Sequence, residues 1–218
     1  MRRRYTVFGL ALVAAFVATS GHEFEVALEA ESGVITAPMV VGVPADAAAQ
    51  GGPEPGGASG AGFVWAPGPP VTGDDIDHTG GVAISFNIPA AGTYAVWGLV
   101  AAWDGNSDSF WVKIDGADPD EDPQETQNTH FRWGVEQGND WHWDRINQWL
   151  DGGTFEREWE LSAGANTLSV LTREAACMLD YVLITDNLSE NVDDISFVPP
   201  AAVEAMGKLA TTWAELRR

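Results

Sequence analysis

Apolar residues fill both alternation phases of the run from Gly92 to Ala102 (Tyr94, Val96, Val100; Ala95, Trp97, Leu99), which predicts a strand covered on both faces. In the next run Phe110, Val112 and Ile114 alternate with Trp111, Lys113 and Asp115, the pattern of a strand with one face in the core and one nearer water. The polar residues Asp104, Gly105, Asn106, Ser107 and Asp108 lie between them, so residues 92–116 read as a hairpin.

The same periodicity places the other elements. FEVALEAE (24–31) alternates as a first strand, and VITAPMVVGVP (34–44) is a second apolar segment in which Pro38 marks an edge or bulge. Residues 45–62, rich in Ala, Gly, Pro and Ser, read as an irregular loop, FVWAP as a short strand and VTGDDIDHTGG as an acidic loop. Val82, Ile84, Phe86 and Ile88 share one strand face. ADPDEDPQETQ is a solvated loop, followed by an aromatic-dense stretch with Trp133, Trp141, Trp143 and Trp149. FEREWEL puts Glu156, Glu158 and Glu160 on one face of a strand, and AGANTLSVLTRE and CMLDYVLITDN supply two more strands with AGAN as a hairpin-type turn. About ten short strands without a convincing helix predict a two-sheet antiparallel β-sandwich. Only the tail differs: Val203, Met206, Leu209, Trp213 and Leu216 recur at helical spacing, so residues 201–218 read as an amphipathic helix.

Length and composition narrow this picture. The 218 residues suit one domain. Arg2, Arg3 and Arg4 precede an apolar run from Val7 to Ala18, the layout of a secretory signal peptide over residues 1–20. The expected organisation is this leader, a sandwich over 21–200 and a helical tail over 201–218, in a protein that is secreted, extracellular or periplasmic. Taking the three leader arginines from a formal charge of −21 leaves −24, which argues against nucleic acid and anionic membrane as partners. Cys177 is the single cysteine and reads as a small buried hydrophobe.

Three groups of residues carry candidate chemistry. Glu29 and Glu31 project together from the first strand, and Asp180 stands amid Leu179, Tyr181, Val182 and Leu183. Such acids either face water or hold a hard cation such as Ca²⁺. Asp104, Asn106 and Asp108 resemble the first ligands of an EF-hand loop, but Ser109 stands where its glycine is required, which excludes that motif. They remain either a turn chosen for backbone preference or, with Trp103, a sugar-binding rim. Trp141 and Trp143 share one face of a strand, His142 and Asp144 the other; the indoles are either core or platforms for a pyranose ring.

The EAE strand, AGTYAVWGLVAA, DSFWVKIDG, AGANTLSV and the closing LDYVLIT, in that order over Glu25 to Val198, together resemble carbohydrate-binding modules of the family 6 and family 35 type. The resemblance implies a galactose-binding-like jelly roll, a structural Ca²⁺ held by Glu29, Glu31 and Asp180, and no catalysis. It also implies a polysaccharide or glycan partner, expected to be neutral, and a binding aromatic near the late strand. The residues expected to contact it are Trp103, Asp104, Asn106, Asp108, one of Trp141 and Trp143, and Arg173, which either contacts the sugar or pairs with Glu174. The chain departs from the family pattern at Met178, where an Asn is frequent, and at Gly81-Val82, where a binding aromatic is frequent. The competing expectation is a structural protein that docks on a partner through Trp213 and Leu216 of the tail helix. A glycoside-active enzyme is the remaining one, for which no nucleophile or metal-hydrolase motif is present.

Overall fold

The computed structural model describes residues 24–50, 55, 56, 58–60, 62–68, 80–114, 126, 127, 130–150 and 153–199. The expected leader, the acidic loop at 71–79 and the tail helix lie outside the described residues. In chain order the strands are β1 (Glu25–Glu29), β2 (Val34–Thr36), β3 (Val40–Gly42), β4 (Phe63–Trp65), β5 (Gly81–Ile88), β6 (Gly92–Ala102), β7 (Ser109–Ile114) and β8 (Thr126–Gln127). They continue with β9 (His130–Gly134), β10 (Gly138–Arg145), β11 (Asn147–Leu150), β12 (Gly153–Glu156), β13 (Trp159–Leu161), β14 (Gly164–Thr172) and β15 (Met178–Thr185). One sheet runs β10-β6-β15-β4-β3, with β1 also on β15 and β13 also on β6; the other runs β2-β5-β14-β7-β9-β8; β11 and β12 form a separate ribbon. Every pairing is antiparallel, so the molecule is the two-sheet antiparallel sandwich that the alternation predicts.

The inner faces meet in one core. Val82, Ile84, Phe86 and Ile88 of β5, Val112 and Ile114 of β7, and Leu168 and Val170 of β14 pack against Val96 and Val100 of β6 and Val182 and Ile184 of β15. The outer face of the β6-β15 sheet is covered too. Ala95, Trp97 and Leu183 lie under Trp143, Ile195 and Phe197, while Ala101 and Met178 lie among Phe63, Trp65, Trp103 and Trp141. That is why both phases of β6 are apolar.

Several local expectations change. β6 and β7 are not a hairpin: β6 pairs with β15, β10 and β13, whereas β7 lies between β14 and β9 in the opposite sheet. The Asp104–Asp108 turn is therefore a crossing between sheets. The AGAN segment likewise crosses from β13 in one sheet to β14 in the other. Trp111 is buried, so both faces of β7 are covered more fully than its alternation suggests. Pro38, which lacks a ladder donor, separates β2 and β3 into different sheets. FEREWEL is two strands: Glu156 ends β12 on the ribbon, and Glu160 lies in β13 against β6. A short helix, α1 (Pro44–Ala49), interrupts the expected loop; Pro44 sits at its start and Asp46 accepts from the Val43 N–H at 2.8 Å.

Candidate functional sites

The acids of the first and last strands meet. Ligand atoms of Glu29, Glu31 and Asp180 all lie within 4.8 Å of one another. Glu31 does not continue the strand; it sits on a 3-10 turn, Ala30–Ser32, that follows β1 directly. Across the sheet Glu29 pairs with Tyr181, and Asp180 is an extra residue between the pairs Leu179–Val100 and Tyr181–Leu99, which makes it a bulge. The bulge brings two successive side chains to the same acids, because the Tyr181 hydroxyl also donates to Glu29.

The Ser59–Gly60 turn closes the site. Ser59 donates its N–H to Asp180 Oδ2 at 3.1 Å and its hydroxyl to Glu29 Oε2 at 2.6 Å. Gly60 has φ +54°, and a Cβ there would collide with Glu31 Oε1 and lie 2.9 Å from Glu29 Oε2. Asp180 is 1 % exposed, and burial pushes its carboxyl up to about 7; the neighbouring charges of Glu29 and Glu31 add to this, and the Ser59 bonds oppose it. Three carboxylates around a hydroxyl, in a pocket kept open by a residue with no side chain, are a hard-oxygen donor set that fits Ca²⁺.

A second feature lies at the sandwich rim. A groove of about 590 Å³ is lined by Asp108 and Ser109 where β7 begins, Arg132 of β9, Glu136, Asp144 of β10, and Asn147, Trp149 and Glu156 of the β11-β12 ribbon. The Arg132 guanidinium lies over the Trp149 ring. Asp144 accepts from Trp133 Nε1 at 2.6 Å and from the Glu136 N–H at 2.7 Å, and Asp108 accepts from Gln137 Nε2 at 3.0 Å. Burial raises the carboxyls of Asp108 and Asp144 and pushes Glu156 up to about 7; Arg145 opposes the last shift, while Asp144 and Glu190 add to it.

The residues expected at a sugar site fall in three places. Asp108 lines the groove. Arg173 is buried behind it, donating from Nη1 to Ser109 Oγ at 2.5 Å and pairing with Glu174, whose Oε2 accepts from Ser109 Oγ at 2.5 Å and from the Asp108 N–H at 3.1 Å. Asp104 and Asn106 shape their own turn: Asp104 Oδ1 accepts from the Asn106 N–H at 2.9 Å.

Trp103, Trp141 and Trp143 stand on the outer face of the β6-β15 sheet, away from the groove. Trp141 packs on Phe63 with ring centroids 5.6 Å apart, and Trp143 meets Phe197 edge to face at 6.3 Å. Met178 belongs to the Trp103–Trp141 cluster, Val82 is on the core face of β5, and Gly81 beside it is buried as well. His142 and Asp144 do project to the other face of β10, as alternation requires, since Asp144 reaches Trp133 in the inter-sheet core. The sequence reading missed Trp149, Arg132 and Glu156 as groove residues. Asp151-Gly152-Gly153 between two short runs is a hairpin signal that marks the ribbon carrying two of them.

No protein-family model matches the chain, and no curated protein matches it in sequence. Solved structures do. The chain is similar to a β-(1,4)-mannanase with a family 35 module from Podospora anserina, at 16% identity and TM-score 0.47 over 74% of this chain and 27% of that one. It is similar to the C-terminal family 6 module of LamC, a laminarinase from Zobellia galactanivorans, at 15% identity and TM-score 0.44 over 74% of this chain and 99% of the module. A family 35 carbohydrate-binding module from Clostridium thermocellum matches at 16% identity and TM-score 0.44 over 73% and 97%. Both module types that the sequence resembles are thus among the matched structures, and the chain spans about a quarter of the mannanase length.

Proposed function

We propose that this protein is a non-catalytic carbohydrate-binding module, exported from the cell, that holds a structural Ca²⁺ and binds a glycan in the rim groove. The observation that carries the reading is the groove itself: an open volume of about 590 Å³, the size of a small-ligand site, walled by the Trp149 indole and rimmed by side chains able to hydrogen-bond hydroxyls. Arg173 and Glu174 act from behind, fixing Asp108 and Ser109 at the groove edge. The family resemblance of the strand segments supports the same reading. Bound Ca²⁺ would be held by Glu29, Glu31 and Asp180 and would supply a cross-link between the first strand, the Ser59 turn and β15. No helix among the described residues is long and apolar enough to cross a membrane.

The test is a polysaccharide and oligosaccharide array probed with the full chain, followed by Trp149→Ala and Trp143→Ala. Binding that falls about tenfold or more on Trp149→Ala and persists on Trp143→Ala supports the groove. Binding that depends on Trp143 moves the site to the outer sheet face, and a chain that retains nothing from the array overturns the reading.

A further inference from the structure

We infer that the groove selects a positively charged sugar, a glycan with unacetylated amino groups such as a glucosamine oligomer. The inference rests on the groove being the glycan site and adds the charge of the ligand. Among the described residues, Asp108, Glu136, Asp144 and Glu156 line the groove against a single lining cation, Arg132. Asp144 is engaged by Trp133 Nε1 and the Glu136 N–H, at 2.6 and 2.7 Å. Glu156 is served differently: its cation is Arg145 Nε at 3.9 Å, beyond hydrogen-bond length, and its side chain is 33% exposed toward solvent.

The chain also shows which ligand chemistry this wall accepts. The Arg132 guanidinium lies over the Trp149 ring, so the groove already holds one cation against an indole. A sugar ammonium entering beside it meets the remaining carboxylates and can donate to Glu156. A neutral sugar of the same shape would remove water from those carboxylates without replacing its charge, and a uronic acid would be repelled. Burial raises the carboxyls of Asp108, Asp144 and Glu156, and a cation bound beside them would favour their charged forms.

The experiment compares a glucosamine hexamer, its N-acetylated counterpart and a glucose hexamer of the same β-1,4 linkage by calorimetry with the full chain at near-neutral pH. The glucosamine oligomer should bind about tenfold tighter than either counterpart and weaken with added salt. Glu156→Gln should remove most of that preference, whereas Glu158→Gln, an exposed acid outside the groove, should leave it intact. Equal or tighter binding of the glucose or N-acetylated oligomer, lost on Trp149→Ala, overturns the charge preference while the glycan reading stands. A preference unchanged in Glu156→Gln, or weakened equally by Glu158→Gln, reflects the overall charge of the chain and overturns the site. Binding of none of the three overturns the inference, and the array above then decides separately whether the groove takes any glycan.

Discussion

Ser59 and Asp180 are 121 residues apart and touch twice: the Ser59 N–H donates to Asp180 Oδ2 at 3.1 Å, and its hydroxyl lies 3.3 Å from Asp180 Oδ1. One hydroxyl thereby sits between the first and last strands, since it also donates to Glu29 at 2.6 Å. A cation among these carboxylates would tie three distant segments, and its removal should loosen all three.

Chelation should therefore lower the melting temperature. At a Ca²⁺ concentration a hundredfold above Kd the linkage is about 2.7 kcal/mol, or about 5–10 °C for a domain of this size. Asp180→Asn, which keeps the shape and removes the charge, should be insensitive to EDTA in a thermal scan. An unchanged melting curve in chelator for the unmodified chain would sink the metal site.

The pH response follows from the direction of the Asp180 shift. Its folded pKa, about 7, stands above the ordinary value of 3.8, so between these limits the folded chain binds more protons than the unfolded one. Stability of the metal-free protein should fall as pH rises through that window, by on the order of a few kcal/mol. With Ca²⁺ present the slope should reverse, because protons and metal compete for the same carboxylates. Parallel melting curves with chelator and with Ca²⁺ check the crossing.

Gly60→Ala should damage the metal site more than the fold around it. The substitution strains a backbone at φ +54° and drives a methyl group into Glu31 and Glu29, at a cost of about 1–3 kcal/mol. Ca²⁺ titration followed by thermal shift should show weaker binding even where the variant remains folded.

The Arg173–Glu174 pair is a second sensitive point. Both residues are 8% exposed, and Arg173→Ala leaves the Glu174 carboxylate buried without its cation, which costs about 3–5 kcal/mol. The double replacement Arg173→Ala/Glu174→Ala should cost less than the sum of the single ones in urea unfolding. Additive losses would show that the two side chains do not act together.

Phe197→Ala should uncover Trp143. Phe197 lies against both Trp143 and Tyr181, at ring separations of 6.3 and 5.2 Å. The half-buried ring should cost about 1–2 kcal/mol, and acrylamide should then quench one additional indole. No change in quenching would mean that Trp143 is covered by something else.

What could be read from the chain alone was whatever obeys a local period. Alternation in β5 and β6 assigned their core faces, and the double apolar phase of β6 foretold cover on both sides. These follow from side-chain direction along an extended backbone, which the sequence carries within a few residues. The acids at 29, 31 and 180 stood out of place, but only the family resemblance joined them, and Glu31 reaches the others from a 3-10 turn. Tertiary structure alone decided where each turn leads. The DGNSD turn looks like a hairpin because its residues suit tight backbone geometry, yet the strands on either side belong to opposite sheets, where β6 pairs with β15 and β7 with β14. The groove was illegible for the same reason. Asp108, Arg132, Trp149 and Glu156 come from four separate elements, and their proximity is set by pairing across the sandwich, which no local pattern encodes.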